Sequence, residues 1–358
     1  MTATIVACWP CCATSSPYER GITKTFTPAI GQSPVGAPGP SGPLRMTPGR
    51  WVALAVAVPV ALALIGWTGY SLVVSVARGS YPFSYTFPVH NGQLALNVSA
   101  GDITLRQAPA SGAARLTGTV RYGLVRPSIS EFATSSGASV SLNCSANISG
   151  DCGVSANLDV PVRTHVTLSS NGGDLTASGF SSGMTLQAAG GNVNVANLAG
   201  RLQVDTGGGD LTANGLSGAL QFDTEGGNVN AGNWAGTGTT RLDTGGGDVT
   251  VNGLTGDFQL STQGGNVDAS GVTSRTVTMQ SGGGDVTLTF TQVPENLTIS
   301  AQGGNVTVIL PPGTTKYDIS TPDLSGGNVN YPSSLVDSNS SHKIIIDSGG
   351  GDVTVSQG

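Results

Sequence analysis

Carboxylate and amide side chains recur at one position of a glycine-rich motif, where their oxygens could bind calcium. The motif is Gly-Gly-Asp or Gly-Gly-Asn followed by an apolar residue, and successive copies lie 18 to 24 residues apart. Calcium-binding glycine-rich rolls have a nine-residue period instead, and an oxygen cage around Ca²⁺ needs several ligands. The doubled period and the replacement of alternate Asp residues by Asn therefore favour a structural turn ladder over ordered calcium sites. Its residues are Asp174, Asn192, Asp210, Asn228, Asp248, Asn266, Asp285, Asn305, Asn328 and Asp352.

Three aspartates are the candidates for acid–base catalysis on a wall polysaccharide. Asp205, Asp223 and Asp243 each follow a pair of apolar residues and are predicted to face outward. A glycosidase needs two carboxylates about 5–10 Å apart in a groove. Ordinary solvated charges are the simpler interpretation, and no nucleotide-loop, nucleophile-elbow or triad-like pattern occurs elsewhere. The sequence therefore predicts a protein that is not an enzyme, with no catalytic residue, no metal site and no cofactor.

The cysteines fall into two groups. Cys8 and Cys11 have C-x-x-C spacing, but no strand–helix pattern surrounds them, so a redox role is not expected. Cys144 and Cys152 lie in the region that is predicted to be exported. An oxidising exterior and a short separation favour a loop disulfide between Cys144 and Cys152.

Strands must position these residues, because apolar and polar residues alternate on both sides of each motif. Apolar residues lie one and three positions after the motif residue, and again eight and six positions before it, as at Leu202 and Val204. Alternation with a period of two is typical of strands with one buried face. We interpret each repeat as one coil of a β-solenoid rather than one hairpin, because matching apolar columns let coils stack into a continuous core. The prediction is an all-β solenoid of about ten coils, with two short strands in each.

The alternation of Asp and Asn has an electrostatic explanation. In coils stacked about 4.8 Å apart, Asp on every coil would bring like charges together, at a cost of about 1 kcal/mol per contact in water. Asn in every second coil doubles the distance between carboxylates and lets amides bridge them.

The region before the repeats shares part of this pattern. Leu94 and Leu96 precede Gly101-Asp102 at the same offsets, which predicts a first coil from about residue 92. Residues 79–165 are otherwise predicted to be an irregular β region that caps a solenoid of residues 166–358. At the other end the chain stops just after Val355, which predicts an open last coil with an unpaired edge.

An uncharged segment near the N-terminus is long enough to cross a bilayer as a helix. It runs from Trp51 to Ala77, and residues 46–78 are predicted to form a single transmembrane anchor. A cleaved signal peptide is the alternative, but its apolar region would normally be shorter. Either interpretation places the C-terminal repeat domain outside the cytoplasm. Residues 1–45 are rich in Pro, Gly, Ser and Thr and are predicted to be disordered, unless translation begins at Met46.

Charge is distributed unevenly along the chain. The net charge is −6, and the acidic residues are concentrated in residues 166–358. This balance argues against nucleic acid as a partner, because phosphate binding depends on Lys and Arg. An acidic surface of this kind predicts weak, salt-sensitive association with cationic ligands.

Residues from about 92 to 358 resemble a bacterial β-strand-repeat family of putative adhesins, which is formally a domain of unknown function. The resemblance rests on Ala-Gly-Asp-Ile-Thr-Leu at 100–105, on residues 158–177, and on the repeated Asp-Thr-Gly-Gly-Gly-Asp and Leu-Ser-Gly or Leu-Thr-Gly turns. It implies an envelope-facing, non-enzymatic protein with a role in adhesion, binding or envelope sensing. The family offers no catalytic or binding residues to transfer to this chain.

Overall fold

The computed structural model describes residues 56–68, 79–89, 91–98, 101–108, 112–123, 126–134, 137–143, 152–322 and 326–358. Residues 56–68 form an α-helix within the predicted anchor. No helix in this described part of the chain combines the length and the apolar character that a membrane crossing requires. The other residues of the predicted anchor, 46–55 and 69–78, and the tail 1–45 lie outside the described residues.

The β region contains 25 described strands and one described 3₁₀ helix, Ser333–Leu335. The N-terminal strands are β1 Gly79–Pro88, β2 Gln93–Val98, β3 Asp102–Ala108, β4 Ala113–Tyr122, β5 Ser128–Thr134, β6 Gly137–Asn143 and β7 Gly153–Pro161. The next strands are β8 His165–Ser170, β9 Leu175–Ser178, β10 Met184–Ala188, β11 Val193–Ala196, β12 Leu202–Thr206, β13 Leu211–Gly218, β14 Leu220–Thr224 and β15 Val229–Thr244. The last strands are β16 Val249–Thr262, β17 Val267–Val272, β18 Thr276–Ser281, β19 Val286–Phe290, β20 Asn296–Ala301, β21 Val306–Leu310, β22 Asp318–Ser320, β23 Val329–Asn330, β24 Lys343–Asp347 and β25 Val353–Gln357.

Two parallel ladders run through the repeats, one on each side of the glycine-rich turns. The first joins β8, β10, β12 and β14 and continues through the C-terminal halves of β15 and β16 to β18 and β20. The second joins β9, β11 and β13 and continues through the N-terminal halves of β15 and β16 to β17, β19 and β21. The predicted all-β solenoid is therefore confirmed, with about nine turns where about ten were expected.

Alternate residues of each strand are buried, which is why the two ladders enclose a core. In β10, Met184 and Leu186 are buried while Gln187 is exposed, and β12 repeats this arrangement in register. Each coil thus covers the apolar residues of its neighbour, and no coil could bury them alone.

A third apolar column completes the core at the corner that follows the second strand of each coil. Leu216 pairs with Trp234 where β13 continues along β15, so the two predicted short strands merge into longer ones here. The Trp234 indole N–H donates to the carbonyl of Ala213 at 3.0 Å, and its ring stacks on Phe222 with a centroid distance of 4.6 Å. The buried residues of this column are Phe180, Leu198, Leu216, Trp234, Leu254, Val272 and Phe290.

The C-terminal coil lies inside the stack. β24 pairs with β20 on one side and β22 on the other, and β25 pairs with β21 and β23 in the same way. The expected open last coil is wrong, because both edges of β25 are paired. The outer layer at this end is formed instead by β22 and β23, which come earlier in sequence. These strands are short, and Pro322 and Pro332 follow them, features that discourage pairing with another chain.

The N-terminal end is built in a similar way. β2 lies between β6 and β8, and β3 lies between β7 and β9, so the coil predicted from residue 92 stacks on the first repeat. β4 pairs with β7 and β1 pairs with β4, both antiparallel, and β5 pairs antiparallel with β6. Residues inserted after β3 therefore cover the far side of the first coil.

Candidate functional site

Each Asp or Asn of the glycine-rich motif hydrogen-bonds to the neighbouring coil. The backbone N–H of Asn192 donates to Oδ1 of Asp174 at 2.8 Å, and the N–H of Asp210 donates to Oδ1 of Asn192 at 3.0 Å. The same bond, at 2.7–3.1 Å, links all neighbours in this column. We call the column the turn ladder, and in spatial order it consists of Asp102, Asp174, Asn192, Asp210, Asn228, Asp248, Asn266, Asp285, Asn305, Asp352 and Asn328.

Carboxylates and amides alternate along the turn ladder from Asp174 to its last member. In sequence, Asn328 follows Asn305, but in space Asp352 lies between them. The amide groups also contact the carboxylates directly, since Asn328 Nδ2 donates to Asp352 Oδ1 at 3.1 Å and Asn266 Nδ2 donates to Asp248 Oδ1 at 3.2 Å. Alternation therefore separates like charges and adds charge-assisted hydrogen bonds.

A column of glycines lies directly before the turn ladder and allows the turns to stack closely. A Cβ atom added to Gly209 would overlap the backbone of Gly191, and one added to Gly351 would overlap the backbone of Gly304. A Cβ atom added to the neighbouring Gly208 would meet no other atom within 4 Å. Close approach of successive backbones explains why glycine recurs at this position.

The turn ladder does not fit a calcium cage. Its Oδ1 atoms already accept backbone N–H groups, and along the alternating part its carboxylates lie two coils apart, roughly 9–10 Å. Ca²⁺ takes six to eight oxygens at about 2.3–2.6 Å. Within the described residues, no group of three or more His, Cys, Asp or Glu side chains could hold a metal ion.

In many coils, a Ser or Thr lies four positions before the residue of the turn ladder, at the corner where the first strand ends. Ser170, Ser281 and Ser348 donate to carbonyls of glycines in the following turn at 2.7–2.8 Å. Thr206 and Thr224 are buried in the same column, and their Oγ1 atoms have no hydrogen-bond partner in the described structure. The column closes the corner of each coil, but not every hydroxyl is satisfied.

The acidic residues of the first ladder meet on one outer face. Asp205, Asp223 and Asp243 are register partners on adjacent parallel strands, and Glu225 follows two positions after Asp223. We call these four residues the acidic strip. Arg241 neutralises one end, because its Nε donates to Oδ2 of Asp243 at 2.6 Å.

The electrostatics of the acidic strip centre on Asp223. Partial desolvation raises the pKa of Asp223, and the charges of Asp243, Asp205 and Glu225 raise that pKa further. Arg241 acts in the opposite direction, but more weakly than these. Asp223 therefore protonates more readily on acidification than an isolated aspartate does.

The acidic strip lines two adjoining open grooves that share Asp223 and Glu225. The other side chains around these grooves include Ser169, Gln187 and Gln263, and no aromatic or histidine side chain lines either groove. The three aspartates are recognisable in the sequence as separate candidates. Glu225 and Arg241 were not predicted to join them, although strand register with an 18- or 20-residue repeat places them there.

The predicted disulfide is placed only in part. Cys152 is disulfide-bonded, and Cys144, its predicted partner, lies outside the described residues. Nδ1 of His342 is 2.9 Å from the carbonyl oxygen of Pro294, whereas His165 lies on β8 near the other end of the stack. The two described histidines therefore do not share a site.

The search among curated proteins gave no match. The chain is similar to a solved putative adhesin from Bacteroides fragilis NCTC 9343, with 14% identity, a TM-score of 0.38, and coverage of 77% of this chain and 97% of that one. It is also similar to a solved putative cell adhesion protein from Clostridium sporogenes ATCC 15579, with 12% identity, a TM-score of 0.19, and coverage of 78% and 100%.

A protein-family comparison covers the C-terminal part of the solenoid. The matching family is described as Toastrack DUF4097, a domain of unknown function, and the match includes residues 217–356. This range runs from the end of β13 to the C-terminal coil, so it contains the coil that lies inside the stack. The resemblance drawn from the repeated motifs is thereby confirmed, since residues 217–356 of this chain match the Toastrack DUF4097 family.

Proposed function

We propose that the chain is a non-enzymatic envelope protein that displays its solenoid outside a bacterial cell and binds a cationic envelope or surface ligand there, in adhesion or in sensing. The acidic strip carries this proposal. Three register-paired aspartates and Glu225 concentrate negative charge on an open face, and Arg241 forms an ion pair with one of them. An open face with one sign of charge attracts ligands of opposite charge through its summed field.

Membrane attachment is part of the proposal and rests on the sequence. The uncharged segment from Trp51 to Ala77 is long enough to span the bilayer core as a helix. Arg45 and Arg50 precede it and Arg78 follows it, so the excess of basic residues favours an N-terminus inside the cell. The solenoid would then be held at the outer surface of the cell membrane by a single pass.

A protease-accessibility assay on intact cells tests this topology. Cleavage within the repeats while the N-terminal tail stays protected is the expected result. Protected repeats with a cleaved tail would show the opposite orientation and overturn the proposal.

Ligand binding is tested with a defined cationic peptide, such as an oligolysine, and the full chain in detergent. We expect weak binding at low ionic strength, reduced by at least about tenfold at physiological salt because exposed charges are screened within about 8 Å. The variant D205N/D223N/D243N should lose most of this binding. The control D257N/D268N/D337N removes three other exposed carboxylates and should retain it. Equal loss in both variants would refute a specific role for the acidic strip.

A polysaccharide-cleaving activity is the competing function, because aligned carboxylates could act as acid and base. The raised pKa of Asp223 beside other carboxylates is the observation in its favour. The grooves offer no aromatic platform for a sugar ring, which weakens this alternative. A glycan-release assay decides: turnover that is abolished by D223N would replace the binding proposal with an enzymatic one.

A further inference from the structure

An aromatic and basic cluster surrounds the point where the chain enters the β region. The Tyr122 ring lies against Gly79, the first residue of β1, and its centroid is 5.8 Å from that of Tyr81. The guanidinium carbon of Arg126 lies 5.6 Å from the Tyr122 centroid and 5.9 Å from the Tyr81 centroid. Arg126 Nε also donates to the Tyr122 hydroxyl at 3.0 Å. With Arg121, these residues form what we call the entrance cluster: Tyr81, Arg121, Tyr122 and Arg126.

Both arginines of the entrance cluster are available to an external ligand. Arg126 is exposed although two rings fix its position, and the terminal nitrogens of its guanidinium form no hydrogen bond or ion pair within the described part of the chain. Arg121 is exposed on β4, opposite Ser80 of β1, and forms no ion pair with any residue in the described part of the chain. Arg126 is thus held against two rings beside the chain entrance, and Arg121 lies on the adjacent strand opposite Ser80.

The sequence places this entrance close to the end of the proposed anchor. Gly79 comes two residues after Ala77, the last residue of the uncharged segment, so at most about 7 Å of extended chain separates them. If residues 46–78 anchor the chain as proposed, this short connection would keep the entrance cluster within reach of the lipid headgroups. Tyr is enriched at membrane interfaces, and arginine binds phosphate with two parallel hydrogen bonds.

We infer that the entrance cluster binds the phosphate groups of anionic phospholipids in the membrane that anchors the chain. Arg121 and Arg126 bind the headgroup phosphates, while Tyr81 and Tyr122 hold Arg126 in place at the interface. The inference rests on the proposed membrane attachment. It adds a second contact with the bilayer, which fixes how the base of the solenoid meets the membrane. The acidic coils beyond it are repelled by the same anionic surface.

Photo-crosslinking of the full-length chain in lipid vesicles tests this inference. The vesicles contain phosphatidylcholine and phosphatidylglycerol, with a small fraction of phosphatidylglycerol that carries a photoreactive headgroup. Mass spectrometry should locate crosslinks in β1 and around residues 119–128. The variant R121Q/R126Q should reduce these crosslinks by about tenfold, because each basic residue near an anionic surface contributes independently to binding. R121K/R126K keeps the charges and should recover much of the signal.

Controls separate the lipid surface from charge in general and from free phosphate. The variant R106Q/R115Q removes two other exposed arginines, and Arg115 lies six residues along β4 from Arg121, roughly 20 Å away. Its crosslinks should match those of the unmodified chain, and millimolar inorganic phosphate should not compete. Equal crosslinking in R121Q/R126Q and R106Q/R115Q, or loss with free phosphate, would overturn the inference. A chain that does not float with the vesicles at all would instead refute the proposed anchor.

Discussion

The backbone N–H of Asp352 donates to Oδ1 of Asn305 at 3.1 Å, although 47 positions separate the two residues in sequence. On its other side, Asp352 Oδ1 accepts the N–H of Asn328 at 2.8 Å. The coil that ends the chain is therefore held between two coils that precede it. This order extends the alternation of carboxylate and amide to the last member of the turn ladder.

Glycine next to the turn ladder is required by the approach of successive backbones. We expect Gly209→Ala to lower the free energy of unfolding by about 2–3 kcal/mol, because its Cβ would overlap the backbone of Gly191 and overpacking is costly. Chemical denaturation measures the loss. The matched control is Gly208→Ala in the same turn, where a Cβ meets open space and the change should stay within about 0.5 kcal/mol. Equal effects would show that close stacking does not select this glycine.

Asn between two carboxylates should be sensitive to conversion to Asp. Asn266 lies between Asp248 and Asp285, and its Nδ2 donates to Asp248 Oδ1 at 3.2 Å. Asn266→Asp should cost about 1–2 kcal/mol at neutral pH and low salt, through repulsion on both sides. The cost should shrink below about pH 4, where carboxylates protonate. The control Asn252→Asp adds the same charge at an exposed position of β16. A thermal melt that shows equal losses of stability in the two variants would contradict the electrostatic explanation.

The sequence was sufficient to predict the solenoid because the apolar residues of each strand repeat at fixed offsets from the turn. It did not predict the third column, since Leu216 or Trp234 is a single apolar residue at a corner and shows no alternation. It also did not predict the order of the coils at the C-terminal end. The apolar pair of β24, Ile344 and Ile346, fits against β20 or against the outer layer equally well by pattern alone.

The sequence was sufficient to predict the aspartates of the acidic strip, but not the cluster of charges that they form with Glu225 and Arg241. Asp205, Asp223 and Asp243 share an offset from the turn, and strand register then brings them together. The raised pKa of Asp223 depends on desolvation and on charges that include Glu225 and Arg241, which have no repeated signature in the sequence.

Asp223 should make the fold less stable at neutral pH than in mild acid. Its pKa is raised in the folded chain, mainly by desolvation and then by Asp243 and Asp205, so the folded state binds a proton more readily than the unfolded state. The contribution of Asp223 to stability is therefore present below its unfolded pKa and is lost as the pH rises through its folded pKa. Asp223→Asn should raise the melting temperature at pH 7 and flatten this part of the pH profile. Asp257→Asn, an exposed aspartate outside the strip, serves as the control and should leave the profile unchanged.

Thr240 should be replaceable by valine with a gain in stability. The side chain is fully buried in an apolar column beside Leu242, and its Oγ1 has no hydrogen-bond partner in the described structure. Valine has the same shape without an unsatisfied hydroxyl, so Thr240→Val should add about 1 kcal/mol to the free energy of unfolding. Thr262→Val is the comparison, because the Thr262 hydroxyl accepts the N–H of Gly265 at 3.3 Å and its removal should destabilise. A loss of stability in Thr240→Val would indicate an ordered water at this hydroxyl.

The C-terminal coil should hold the outer layer of the solenoid in place. Removal of residues 343–358 takes away β24 and β25, the partners of β22 and β23, and leaves the outer layer without its ladder bonds. We expect backbone amides of residues 317–322 and 326–337 to lose hydrogen-exchange protection and Tyr317, which is fully buried, to become accessible, while β8 to β19 keep their protection. A chain that ends at Ser356 is the control, because it loses Gln357, which pairs with Leu310 and contacts Pro311 and Gly313, and the Gly358 contact with Leu310, but keeps the pairing of β25 with β23. Full protection of residues 317–322 and 326–337 in the chain without residues 343–358 would mean that the outer layer docks directly on β20 and β21, and that the inserted coil is not needed to retain it.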